Sequence, residues 1–205
     1  MFNKSTIFNF FNKRKNTNIS FNEGIDMLSN LNREIYITTI TPQVAEHVDK
    51  AIRAWNKFDD TDYTEVAKRP PIKLYINSLG GDFNAMLTIM DAIKISKTPI
   101  HTINIGVAYN EAFYVFIAGH QRFTYINSSF RYIRDIRGLL NEELNTGNEL
   151  KFYERQLVAI KDIILTRTKI TETEYNKHLN NIWYLDATDA QRLKVCHDII
   201  TKYQG

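Results

Sequence analysis

Three times between Arg33 and Ala118 a short β-branched and aromatic run gives way, within a few residues, to an apolar repeat of three and four. That alternation constrains the chain most, because strand, helix and strand in succession pack as right-handed βαβ units on a largely parallel sheet. The first strand is Glu34-Ile35-Tyr36-Ile37-Thr38, after Arg33. Thr41-Pro42 then supplies an N-cap and a proline at the first helical position. Val44, Val48, Ala51, Ile52, Trp55 and Phe58 share one helical face, which predicts a helix to about Phe58. Asp59 to Pro71 is polar, carries two prolines and reads as a surface loop. The second unit is the strand Ile72 to Asn77, the turn Ser78-Leu79-Gly80-Gly81, and a helix with Met86, Ile89, Met90 and Ile93 inward. After Pro99 the third strand runs from Ile100 to Ile105, and Gly106 turns the chain into a short apolar helix, Ala112 to Ala118. Strands are expected again at Arg122 to Tyr125 and Phe130 to Ile133. Leu150, Tyr153, Leu157, Ile160 and Ile164 mark a long amphipathic helix, with Phe152 and Val158 off its stripe.

Composition removes several function classes. A chain of 205 residues is one domain with room for its own core. The single cysteine, Cys196, excludes an internal disulfide and a cysteine-based zinc cluster. His47, His101, His120, His178 and His197 have no metal-ligand spacing, so they read as surface or packing residues and no metal is expected. A net charge of +3 is too small to argue for nucleic acid, and no apolar run spans a bilayer. The richness in Asn, Lys and Ile fits an AT-rich genome, such as many bacteriophages carry. Met1 to Asn22 holds Lys4, Lys13, Arg14 and Lys15, with Phe8, Phe10 and Phe11, but no acid and no signal-peptide core. It fits either an organellar presequence or a terminal segment that is mobile or docked on a partner.

Two strand-to-helix turns could carry chemistry, since ligands of open α/β sheets bind at the C-terminal strand ends. At Gly80-Gly81 the missing Cβ atoms let backbone N–H groups approach an anion or oxyanion. No Gly-Lys-Ser/Thr follows and G-x-G-x-x-G is absent, so this is not a nucleotide loop. Gly106 to Ala112 has the geometry that suits a nucleophile, yet it offers Asn110.

Leu74-Tyr75-Ile76-Asn77-Ser78-Leu79-Gly80-Gly81 resembles the Y-I-N-S-P-G-G signature of the Clp protease proteolytic subunit family, with Leu79 in place of proline. Arg33 to Ile37 with Thr41-Pro42-Gln43-Val44 resembles the segment before it. Gly106 to Gly119 matches the stretch around that family's catalytic serine, and Arg122-Phe123 with Asn127-Ser128 the strand pair before its histidine. Trp183 to Ala190 is similar to the closing motif. The resemblance covers about residues 21–200 and implies an α/β fold, the Clp-protease (crotonase-like) spiral of βαβ units with a long handle helix. It implies a domain over 21–205, a handle over about 134–168, and an N-terminal segment, 1–20, at the axial pore.

Carried over residue by residue, the family's serine, histidine and aspartate fall on Asn110, Ile133 and Ile182. Its oxyanion site falls on Gly80 and Gly81, with Glu111 beside it. No serine occurs from Lys97 to Asn127 and no histidine from Gln121 to Lys177, so no slip in register restores the pair. A hydrolytic triad needs a nucleophile and a base within hydrogen-bond reach. The chain therefore reads as a pseudoenzyme without a cofactor, a ring-forming subunit that pairs with itself or with host Clp peptidase subunits or the Clp ATPase. No nucleic acid or membrane partner is expected. The expected compartment is the cytoplasm, of the host if the protein is viral, or an organelle. The alternative is a hydrolase or acyl-transfer enzyme of the same fold, using non-standard residues such as Asp82, Tyr109 and Glu111.

Overall fold

A computed structural model describes residues 29, 32–133, 147–179 and 181–202. Five strands form a parallel sheet: β1 (Glu34–Ile37), β2 (Ile72–Ser78), β3 (Ile100–Tyr109), β4 (Gln121–Tyr125) and β7 (Asp198–Ile200), in the order β1-β2-β3-β4-β7. β5 (Ser129–Tyr132) pairs in parallel with the far half of β3, and β6 (Trp183–Asp186) runs antiparallel to β5. The crossovers are α1 (Pro42–Asp62), α2 (Phe83–Ile95) and α3 (Glu111–Ala118). Then come the long α4 (Gly147–Arg167) and two short helices, α5 (Glu172–Lys177) and α6 (Ala187–Arg192).

The period-two pattern decides which face of the sheet is covered. Ile72, Leu74 and Ile76 of β2 are fully buried in one core with Val48 and Ile52 of α1, Met86, Ile89 and Ile93 of α2, and Phe113 and Phe116 of α3. Lys73 and Tyr75 alternate with them onto the other face, where Tyr75 stacks on the half-exposed Tyr36, ring centroids 4.9 Å apart. Thr41 caps α1 as its sequence predicts, its Oγ1 accepting the Val44 amide at 3.2 Å.

Several boundaries differ from expectation. α1 runs to Asp62 rather than Phe58, because Asp59 points inward and is fully buried. Both guanidinium nitrogens of Arg33 donate to it, at 2.6 and 2.7 Å, and so does Thr98 Oγ1, at 2.6 Å. The loop that follows contains a short 3-10 turn at Val66–Lys68. The last described strand before residue 134 is Ser129–Tyr132, one residue earlier than Phe130 to Ile133.

The main correction concerns β3, which passes Ile105 and continues through Gly106 to Tyr109. Its first half pairs with β4 through Thr102↔Arg122 and Ile103↔Phe123; its second half pairs with β5 through Val107↔Ser129 and Tyr109↔Arg131. At the fork the buried Asn104 supplies the missing hydrogen bonds. Its Nδ2 donates to Ser129 O at 2.9 Å, its Oδ1 accepts the Gly106 amide at 3.1 Å, and its carbonyl accepts from Ser128 Oγ at 3.0 Å. A buried backbone that changes partners has to satisfy its polar groups in this way.

Of the stripe read on the long helix, Leu157, Ile160 and Ile164 are buried, and Val158 faces out at 60% exposure. The side chains of Leu150, Phe152 and Tyr153, the segment 1–20 and the handle residues 134–146 lie outside what is described. The base of α4 is held by two arginines. Arg122, buried, donates to the carbonyls of Arg167, Lys194 and Val195, and Arg167 to those of Ile117 and Gly119. Burial, with the Arg167 charge close by, brings Arg122 down to about 10. No described helix is long and apolar enough to cross a membrane.

Candidate functional site

The C-terminal end of β2 leads through Leu79, Gly80 and Gly81 into α2. Gly80 and Gly81 have φ of 111° and 156°, a region that disfavours side chains. The turn is tied to Ile40, the residue before the α1 N-cap: Ile40 N donates to Gly80 O at 3.1 Å, and Asp82 N to Ile40 O at 2.8 Å. A Cβ on Gly81 would overlap the Ile40 carbonyl, so the close approach itself requires glycine. The Asp82 side chain caps α2, its Oδ1 accepting the Ala85 amide at 2.7 Å.

Facing this turn is the elbow between β3 and α3. Asn110 sits there with φ 53° and ψ −119°, outside the ordinary left-handed well. A non-glycine residue in such a conformation costs about 1–3 kcal/mol, and asparagine bears a positive φ better than most. The strained strand-to-helix corner is the shape that presents a nucleophile in hydrolases. Here it presents a carboxamide. Asn110 Nδ2 donates to Leu79 O at 3.0 Å, and Asn110 Oδ1 is shut away from solvent without a partner. The next residue, Glu111, turns its side chain onto the glycine turn, where Oε2 accepts the Gly81 amide at 2.9 Å. The sequence places Glu111 beside that amide; the structure places its carboxylate directly on it.

Ile133 and Ile182 complete the neighbourhood. β5 delivers Ile133 just past Tyr132, and β6 starts just after Ile182; Tyr132 pairs with Trp183 across the two strands. The Asn110 amide donates to Arg131 O at 3.0 Å, so the three positions gather at one end of β3, β5 and β6. Ile133 is half-buried and Ile182 is 53% exposed. Both carry sec-butyl side chains, which neither give nor take a proton. Tyr109 is turned elsewhere: its hydroxyl meets Ser129 Oγ at 2.9 Å and its ring lies under the Arg131 guanidinium and against Tyr184. Asp82, Tyr109 and Glu111 thus have three separate sets of partners.

The histidines are elsewhere. His120 Nδ1 accepts the Ile100 amide at 2.9 Å and His197 Nδ1 accepts the Arg122 amide at 3.0 Å, which requires each ring to be neutral. Burial first, then neighbouring arginine charge, lowers the affinity of both for a proton, in agreement. His178 stacks flat on Trp183, centroids 4.2 Å apart. Among the described residues no group of three or more His, Cys, Asp or Glu could hold a metal. Cys196 is buried and free, its thiol pushed up to about 11 by burial, so it is no ready nucleophile. On the opposite face of the sheet is a cleft of about 630 Å³, lined by Tyr75, Ile103, Phe123 and Tyr125 with Lys73 and Lys202.

A parallel βαβ sheet whose strand-end elbow faces a glycine turn is the class of α/β framework that binds ligands at its strand ends. Residues 22–202 match the family model described as Clp protease, and the chain belongs to that family. The ATP-dependent Clp protease proteolytic subunit 2 of Treponema pallidum is 25% identical over 134 residues, covering 64% of this chain and 67% of its own. Its namesake in Treponema denticola is 28% identical over 122 residues, with 58% and 61% covered. The chain thus spans about two thirds or less of the length of these two relatives. Among solved structures, ClpP1 from Listeria monocytogenes superimposes with a TM-score of 0.69 at 19% identity, over 87% of this chain and 97% of its own. A peptidase from Plasmodium falciparum gives 0.71 at 23% identity, over 86% and 100%. The crotonase-like Clp-protease fold implied by the sequence is the fold of the protein.

Sequence reasoning missed two contacts of the site. Asn110 bonds a main-chain carbonyl, Leu79 O, which no side-chain pattern reveals. Arg131 accepts the elbow amide because β3 runs four residues further than its apolar run, and only the residues of β5 opposite could have signalled that.

Proposed function

We propose that this protein is a non-catalytic member of the Clp protease family, a subunit that assembles with itself or with the peptidase or ATPase subunits of a Clp system. The observation that carries the reading is the composition of the elbow corner: Asn110 at the strained position, Ile133 and Ile182 at the neighbouring strand ends, and a carboxylate on the Gly81 amide. An asparagine carboxamide is not a nucleophile that a general base can activate for acyl transfer, and isoleucine takes no proton. Loss of serine or histidine from a comparable triad lowers turnover by about 10⁶, leaving roughly 10³–10⁴ over water from oxyanion binding. That remainder is opposed too. A carboxylate about 4 Å from a developing oxyanion repels it by about 4 kcal/mol at an effective dielectric near 20.

Assembly is supported by what the subunit leaves bare. Tyr36, Tyr125, Ile126, Val158, Ile182 and Tyr184 are all large, apolar or aromatic, and 43% exposed or more. Exposed apolar surface marks contact with another chain where it is contiguous, and subunits that meet head to tail form rings where the rotation closes. The long α4, with Val158 outward, is the element we assign to pairing between rings.

The test mixes purified protein with a panel of fluorogenic peptides and, separately, measures its native mass alone and with the Clp subunits of its host. The reading expects no hydrolysis above buffer and a particle many times 24.0 kDa, or one that incorporates host subunits. Peptide turnover that survives further purification would favour an enzyme with non-standard residues instead.

A further inference from the structure

Two turns meet at the Gly81 amide, and together they have the form of an occupied ligand site. The Gly81 N–H points out of the turn and is bonded by Glu111 Oε2 at 2.9 Å, though Asp82 lies next to it in sequence. Gly80 makes room for that carboxylate: a Cβ there would overlap Glu111 Oε2 and press on Asn110 Cβ, at 3.0 Å. Asn110 holds the other end of the turn through Leu79 O, at 3.0 Å. The turn is gripped by its carbonyl and by its amide, from two consecutive residues of one elbow.

We propose that the Gly81 amide is a carboxylate-binding site filled in cis by Glu111, with Asn110 as the second point of a latch that closes the turn to carboxylates from outside, such as a peptide α-carboxylate. A main-chain amide freed of hydrogen-bonding backbone and set in a positive-φ turn is a ready anion donor. The anion here is supplied by the chain, at an effective concentration that a free ligand does not match. The site is closed as long as Glu111 is seated. This goes beyond the absence of peptidase activity and does not depend on it, since an amide can bind a carboxylate whether or not anything is hydrolysed nearby.

The experiment follows the Gly81 amide by residue-resolved hydrogen exchange in the full chain, in Glu111→Ala and in the isosteric Glu111→Gln, with sodium formate titrated against sodium chloride at equal ionic strength. The parent should exchange slowly and be indifferent to formate. In Glu111→Ala the amide should exchange roughly ten- to a hundredfold faster, the value of one charge-assisted hydrogen bond, and formate should restore protection saturably. Glu111→Gln, which keeps the shape and a neutral acceptor, should fall between the two and guards against a misfolded alanine variant. Unchanged exchange in both variants overturns the proposal. So does accelerated exchange that formate leaves untouched, and so does a parent whose Gly81 amide responds to formate, because its site is then open.

Discussion

Replacing Gly81 by alanine is the sharpest perturbation of the corner on which the site rests. The added Cβ would sit inside the Ile40 carbonyl, with Ile40 C at 2.8 Å and Ile40 N at 3.0 Å, and all three atoms are backbone. No side-chain rotation relieves that, so either the turn or the lead-in to α1 must move. Moving them disturbs the two hydrogen bonds that join them, Ile40 N to Gly80 O and Asp82 N to Ile40 O. Overpacking of this kind costs about 1–3 kcal/mol, and forcing an L side chain to positive φ roughly 1–2 kcal/mol more. The sum, about 2–5 kcal/mol, corresponds to a fall in thermal midpoint of roughly 4–20 °C for a chain of this size. Gly106→Ala is the control. It has no positive φ, and its Cβ would meet the Asn77 side chain, which can rotate at the expense of one bond to the Val107 amide. That is a loss of about 1 kcal/mol. Differential scanning calorimetry of the three proteins decides: a Gly81→Ala midpoint equal to the parent's, or above that of Gly106→Ala, refutes the argument from close approach.

Asp59 sets a pH dependence. Burial pushes its carboxyl up, but the Arg33 and Thr98 hydrogen bonds and the Arg33 and Arg69 charges outweigh that and hold it below the ordinary aspartate value. Its stabilisation is therefore complete above the unfolded value, about pH 4, and is lost as pH falls through the folded one. Asp59→Asn should cost about 3–5 kcal/mol in urea unfolding at neutral pH, with the gap to the parent narrowing in acid; a gap that stays constant down the pH series contradicts the pairing. For assembly, Val158→Glu together with Phe152→Glu should reduce the native particle without changing the far-ultraviolet circular dichroism, whereas a parent that sediments as a monomer at micromolar concentration removes the basis for rings.

The sheet and its crossovers were legible because their signals are local. Thr41-Pro42 starts α1, the alternation in Ile72 to Asn77 gives one core face, and Gly80-Gly81 marks the turn. What stayed hidden depends on partners distant in sequence. α1 outruns its apolar stripe because Asp59, which reads as the start of a polar loop, is drawn inside by Arg33 and Thr98. β3 outruns Ile105 because β5 offers it new partners after Asn104, a residue whose polarity looks out of place in a strand until the fork is seen. At the site, the residue types were readable by position: Asn110, Ile133 and Ile182, the positions singled out by the resemblance, lie at one end of three strands. Direction was not. That Glu111 reaches across to Gly81 while Tyr109 turns to Ser129 follows from the pleat of β3 and the elbow at Asn110, which are properties of the backbone.

The central claim is that this corner holds no nucleophile, and covalent capture tests it most directly. The native protein is incubated with a fluorophosphonate, beside an active serine peptidase of the same family as positive control, and its intact mass and tryptic map are recorded. The account predicts an unmodified chain under conditions that label the control to completion. A stoichiometric adduct on any residue of the Gly106 to Ala112 turn would contradict it.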